Sequence, residues 1–87
     1  MVSKKLTLKN AQGFHMRPAS LFATAMGKYE SDITIKHNNT DINAKSLLNI
    51  IAGCIKCGSE IEILCSGSDE QAALDEAVQL IESGLGE

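Results

Sequence analysis

The sequence predicts an α+β domain, an antiparallel sheet with its helices on one face, and three observations lead there. Stretches that alternate apolar and polar residues at period two occur four times, interleaved with three helix-like stretches, in the order strand, helix, strand, strand, helix, strand, helix. Each helix-like stretch has a single apolar face, which must be buried against a sheet in a two-layer arrangement. A chain of 87 residues has room for one such core, so residues 1–87 are read as a single domain.

The elements follow in order. Val2, Lys4, Leu6 and Leu8 alternate with Ser3, Lys5, Thr7 and Lys9 as a first strand, which Asn10-Ala11-Gln12-Gly13 breaks. A first helix is expected from about Pro18 to Lys28, with Ala19, Phe22, Ala23 and Met26 as its inward stripe. Proline suits the first helical position, where an N–H would find no partner. Ile33-Thr34-Ile35-Lys36 makes the next strand, Asn38-Asn39 a turn tolerant of positive φ, and Thr40–Asn43 the return of a hairpin. Ile33, Ile35 and Ile42 then share a buried face, and Thr34, Lys36 and Asn43 a solvated one.

Ser46 is a preferred cap residue before the short helix Leu47–Ala52, which Gly53 can stop. Leu47, Leu48, Ile50 and Ile51 are more aliphatic bulk than one inward face requires, so part of it is expected at the surface as a docking patch. Gly58-Ser59 turns the chain into a strand in which Ile61, Ile63 and Cys65 point inward. Ser68 and Gln71 read as a capping box opening a last helix with Leu74, Ala77, Val78 and Ile81 inward, ended by Gly84.

Composition removes several functions. The net charge is −3, the basic residues are scattered, and Phe14, Phe22 and Tyr29 are the aromatic residues, so a nucleic-acid partner is not expected. No apolar run approaches the ~20 residues that span a bilayer. Neither a signal peptide nor a membrane segment is expected, and the chain reads as cytoplasmic. Cys54, Cys57 and Cys65 are an odd number without an export signal, which argues against a disulfide framework. A lone Cys54-x-x-Cys57 lacks a second paired motif for zinc, so no metal is expected and the two thiols read as ordinary buried or half-buried groups.

Chemistry concentrates in Gly13-Phe14-His15-Met16-Arg17-Pro18-Ala19-Ser20, which holds the sole arginine, the sole proline and one of two histidines. Pro18 at a helix start places His15 at the mouth of the helix, with the N–H groups of Ala19 and Ser20 expected to be available to a ligand. Such a terminus attracts anions, and the Arg17 fork adds a second anion-binding group. Against the positive end of a helix a cation is mildly unfavourable, so Arg17 reads as serving an anion. Imidazole is nucleophilic at physiological pH, and phosphoryl transfer needs mainly positioning and charge neutralisation. His15 and Arg17 are therefore the candidate catalytic residues and Pro18, Ala19 and Ser20 the candidate phosphate cradle. The plainer reading is a polar cap histidine without chemistry.

This stretch resembles the active-site motif of the HPr family, the phosphocarriers of the bacterial phosphoenolpyruvate-dependent sugar phosphotransferase system. The pattern Gly-x-His-x-Arg-Pro-Ala-[Ser/Thr] is matched at every fixed position. The resemblance extends over essentially the whole chain and implies an open-faced β-sandwich with three helices on one face. It also implies a stoichiometric carrier without a cofactor, not an enzyme. His15 would take a phosphoryl group at Nδ1 from phospho-enzyme I and pass it to enzyme II A components. Lys45-Ser46-Leu47 resembles the regulatory serine that Gram-positive members present to HPr kinase/phosphorylase, with a catabolite-control transcription factor as a further partner. The closing Gly84-Leu85-Gly86-Glu87 looks like Gram-positive members too.

Partner docking is expected on Phe14, Leu47, Leu48 and Ile51, and nothing calls for more than a monomer. The segment Asn49-Ile50-Ile51-Ala52-Gly53-Cys54-Ile55 departs from the Gram-positive pattern, which has a glycine and then Met and Ser-Leu-Gly here, so the patch has its own shape. The alternative is a regulatory module acting through Ser46, or a phosphorelay outside sugar uptake.

Overall fold

The computed structural model describes residues 1–9 and 13–85. Its elements are β1 (Val2–Thr7), α1 (Met16–Gly27), β2 (Asp32–His37), β3 (Thr40–Asn43), α2 (Leu47–Ala52), β4 (Glu60–Ser66) and α3 (Glu70–Glu82). The strands form one antiparallel sheet in the order β1-β4-β2-β3. The predicted break at Asn10–Gln12 and the closing Gly86-Glu87 lie outside the described residues.

One sheet face is apolar and carries the core. Leu6, Ile33, Ile35, Ile42, Ile61, Ile63 and Cys65 are buried there, joined by Phe22 and Met26 from α1, Ile50 from α2, and Leu74, Ala77 and Ile81 from α3. The opposite face is polar. The register sets Lys5 beside Glu62, Glu62 beside Lys36, and Lys36 beside Asp41, so neighbouring charges alternate in sign across all four strands. Register is pinned at the hairpin, where Asn38 (φ 51°) and Asn39 (φ 64°) both adopt the left-handed conformation that matches strand twist.

Two helix starts differ from the sequence expectation. α1 begins at Met16, with His15 as its cap, so Pro18 is the third helical residue and not the first. Any position in the first turn accepts proline, because none of these N–H groups has an intrahelical acceptor. α3 is capped by Asp69, not by Ser68, and no capping box forms with Gln71. The Asp69 carboxylate instead reaches back across the chain, accepting from the N–H groups of Glu30 and Ser31, both at 2.9 Å, and from the Ser31 hydroxyl. The Ser31 hydroxyl bond, followed by the backbone donors, holds the Asp69 carboxyl below the usual aspartate range. Gln71 bonds Asp75 on its own helix at 2.9 Å.

The end of α3 has a Schellman geometry. Gly84 (φ 87°) turns the chain so that its N–H meets Ile81 O at 3.2 Å and the Leu85 N–H meets Leu80 O at 2.9 Å.

Candidate functional site

The loop entering α1 is built around Gly13. Its φ is +67°, and a Cβ there would lie 2.3 Å from the Ile55 carbonyl oxygen and 2.7 Å from Lys56 Cα, so only glycine fits. This close approach lets the Phe14 N–H donate to Ile55 O at 2.9 Å. At the other end of the loop, Leu8 N–H donates to Ser59 O at 2.9 Å and Gly58 N–H to Leu8 O at 2.8 Å. The segment between α2 and β4 thus holds the chain on both sides of residues 9–13. Phe14 is anchored further by burial, 3% exposed and edge-on to Phe22 with ring centroids 5.4 Å apart. Expected in a docking surface, Phe14 is a core residue: its ring fills the space under α1.

His15 follows this anchor directly. It is half-buried, extended in backbone conformation (φ −83°, ψ −172°), and its side chain makes no capping bond to α1. Its carbonyl accepts the first helical bond, from Ala19 N–H at 3.0 Å. That bond corrects the expected cradle. Ala19 N–H is engaged inside the helix, Ala19 and Pro18 are buried, and proline has no N–H to give. The helix start at Met16 makes the N–H groups of Met16 and Arg17 the first-turn donors without an intrahelical acceptor. Ser20 stays at the site by its position: with His15, Met16, Arg17, Leu21 and Leu85 it lines an open cleft.

The electrostatics of this first turn run against the usual preference. It has no acidic residue, whereas α3 opens with Glu70. Arg17 is exposed and has no carboxylate partner among the described residues. A positive helix end, a guanidinium and an imidazole therefore face one cleft, an arrangement that neutralises an anion next to a nucleophile.

Ser46 caps α2, its hydroxyl accepting from Asn49 N–H at 3.3 Å, and it is half-buried. The adjacent Lys45 ammonium donates to Tyr29 O at 2.6 Å, just beyond the end of α1, while the segment after α2 bonds Phe14 at its start. α2 accordingly runs back along α1, with which it is in contact, and places Ser46 toward the end of α1 remote from His15. Leu47 and Ile51 are half-buried against the core, and Leu48 is 79% exposed. Met16 (61%) and Leu21 (43%) are further exposed apolar side chains, on α1. The docking patch expected from the sequence included neither. Neither falls on the Ala19, Phe22, Ala23, Met26 stripe, and that was the available signal.

The cysteines divide differently from the expectation. Cys54 and Cys57 are exposed, and Cys65 is buried, where desolvation pushes its thiol upward. Among the described residues no three His, Cys, Asp or Glu side chains gather as metal ligands, and no helix is long and apolar enough to cross a membrane.

Comparison with known proteins gives this geometry its family. The model described as PTS-HPr, the PTS HPr component phosphorylation site, matches residues 2–83. This chain belongs to the HPr family. The phosphocarrier protein HPr of Treponema pallidum is 36% identical over 83 residues, covering 95% of this chain and 94% of its own. The HPr-like protein Crh of Halalkalibacterium halodurans is 34% identical over 82 residues, covering 94% and 98%. Among solved structures, HPr of Thermoanaerobacter tengcongensis superposes with a TM-score of 0.96 at 36% identity, covering 100% of this chain and 98% of its own. The open-faced sandwich expected from the resemblance is therefore the fold, and the chain is an HPr-type phosphocarrier of the phosphotransferase system.

Proposed function

We propose that His15 is the residue that carries the phosphoryl group, receiving it from phospho-enzyme I and delivering it to enzyme II A components. The observation that carries this reading is the acid-free first turn of α1, in which His15 is the cap and Arg17 the second residue. In the transfer, a ring nitrogen of His15 attacks phosphorus, the donor's P–N bond breaks, and the donor imidazole leaves with the electron pair. The family resemblance assigns Nδ1 as the attacking atom. The N–H groups of Met16 and Arg17 and the Arg17 guanidinium balance the charge of the phosphoryl oxygens, so no cofactor is required. Turnover belongs to the partners, and this chain is a stoichiometric shuttle in the cytoplasm, working as a monomer.

Leu48, Met16 and Leu21, with Leu47 and Ile51 beside them, form the docking surface, and their apolar character suits partners that must approach His15 closely. Ser46 is proposed as the regulatory phosphorylation site for HPr kinase/phosphorylase, with a catabolite-control transcription factor as reader. Its hydroxyl caps α2, so a phosphate there would sit at a helix N-terminus and place about −1.5 to −2 charge in the rim of the apolar surface. The relationship to Crh proteins supports this second role.

The test is a relay. The protein, phosphoenolpyruvate, magnesium and enzyme I are combined, and a purified enzyme II A component is then added. The expected result is one acid-labile phosphate on the chain that disappears as the enzyme II A component gains one, with His15→Ala inert. Labelling of His15→Ala at the wild-type rate would refute the assignment.

A further inference from the structure

The cleft at His15 has one wall that comes from outside α1 and its cap, Leu85. We infer that Leu85 is a positioning residue that forms the apolar wall of this cleft and shields a phosphoryl group on His15 from water. The inference rests on the reading of His15 as the phosphoryl acceptor.

Leu85 follows α3 and is held in an unusual conformation. Its φ is +54°, a left-handed value that a residue with a Cβ adopts at a cost. It is nevertheless 2% exposed and belongs to the central hydrophobic cluster. The Schellman turn aims it there, through Gly84 (φ 87°) and the Leu85 N–H bond to Leu80 O at 2.9 Å. A hydrophobic contact with the third residue from the helix end, here the half-buried Leu80, commonly accompanies this turn. That contact does not by itself bring a side chain to another helix, yet Leu85 borders the cleft with His15, Met16, Arg17, Ser20 and Leu21 of α1. The other members supply the nucleophile, the cation, a hydroxyl and the exposed aliphatics. Leu85 is the member fixed in the core, and so the wall that does not move with solvent.

The consequence is chemical. A phosphohistidine is lost when water oxygen attacks phosphorus, the P–N bond breaks, the ring nitrogen recovers a proton and inorganic phosphate departs. Transfer to a partner replaces that water by another imidazole and takes place in a docked complex. An apolar wall beside the phosphoryl group removes positions from which water can attack, which lengthens the carrier's charged lifetime without opposing transfer.

The experiment charges wild type, Leu85→Ala, Leu85→Asn and Leu85→Met with phosphoramidate, a chemical donor that needs no enzyme, and follows decay of the phosphohistidine by phosphorus NMR. Folded fraction is read from the same samples by proton NMR, and rates are compared for folded protein. Asparagine tolerates positive φ, so Leu85→Asn keeps the turn while making the wall polar. Val78→Ala, on α3 but outside the cleft, is the control for general loosening. Leu85→Ala and Leu85→Asn are expected to hydrolyse several-fold faster, with Leu85→Met and Val78→Ala close to wild type. Wild-type decay in folded Leu85→Ala or Leu85→Asn would overturn the inference, as would equal acceleration by Val78→Ala. A wild-type protein that takes no phosphoryl group on His15 would instead overturn the reading of His15 on which it rests.

Discussion

Replacing Gly13 by alanine tests how His15 is held. Two costs are separable. The first is conformational: φ of +67° costs a residue with a Cβ about 1–2 kcal/mol. The second is steric: the new methyl would meet Ile55 O at 2.3 Å and Lys56 Cα at 2.7 Å. Both obstacles are backbone, so relief requires moving the loop and giving up the Phe14–Ile55 bond, worth about 1 kcal/mol. The overpacking adds about 1–3 kcal/mol. Gly58→Ala supplies the reference, since φ there is +86° but nothing lies within 4 Å of an added methyl. Urea denaturation should therefore show Gly58→Ala losing about 1–2 kcal/mol and Gly13→Ala losing about 3–6 kcal/mol in all. Because His15 is two residues beyond Gly13, phosphorylation by enzyme I should also slow in the folded fraction of Gly13→Ala and not of Gly58→Ala. Equal losses in the two variants would refute the argument that the Ile55–Lys56 backbone moulds this loop.

Further outcomes follow from the same geometry. Arg17→Ala should lower the efficiency of phosphorylation by about 10- to 100-fold, the worth of a charge-assisted hydrogen bond. Thermal stability should stay unchanged or rise slightly, as a cation leaves a helix N-terminus, and unchanged kinetics would remove Arg17 from the site. Tyr29, the sole tyrosine, donates to Glu76 Oε1 at 2.5 Å, and this bond to a carboxylate is the chief cause of its pKa rising to about 12. Folding thus retains a phenolic proton that the unfolded chain releases near pH ~10, so the contribution is complete below that pH and is lost as pH rises toward 12. Phenolate absorbance should titrate near 12 in wild type and lower in Glu76→Gln; a midpoint near pH ~10 in wild type would show that the bond is absent in solution. Gly27→Ala, at the last position of α1 with nothing within 4 Å of its methyl, should stabilise by about 0.5–1 kcal/mol in thermal melts.

Much of this architecture was legible because the signals are local. Alternation at period two identified all four strands, Asn38-Asn39 identified the hairpin turn, and Ser46 and Gly53 bounded α2. The errors arose where a distant contact decides. Pro18 could not distinguish the first from the third helical position, because both lack an intrahelical acceptor for an N–H. The first-turn donors without an intrahelical acceptor, expected at Ala19 and Ser20, are consequently those of Met16 and Arg17, three residues earlier. Phe14 looked like surface beside a reactive histidine, and its burial depends on Phe22 and Ile55, one of them 41 positions away. Asp69, not Ser68, holds the cap position of α3, and its side chain makes no capping bond because Glu30 and Ser31, 39 and 38 residues earlier, offer it three donors. Leu85 gave no sign of reaching α1, since a side chain after a helix end carries no periodic signal.

The central claim is that His15 is the phosphoryl acceptor, and a nitrogen-15 NMR spectrum of the two imidazole rings tests it most directly. The protein has just two histidines, His15 and His37, so each ring can be assigned and followed after charging by enzyme I and phosphoenolpyruvate. The account predicts that the His15 ring nitrogens shift and couple to phosphorus while those of His37 stay in place. Phosphorus coupling at His37, or a charged protein with both rings unchanged, would contradict it.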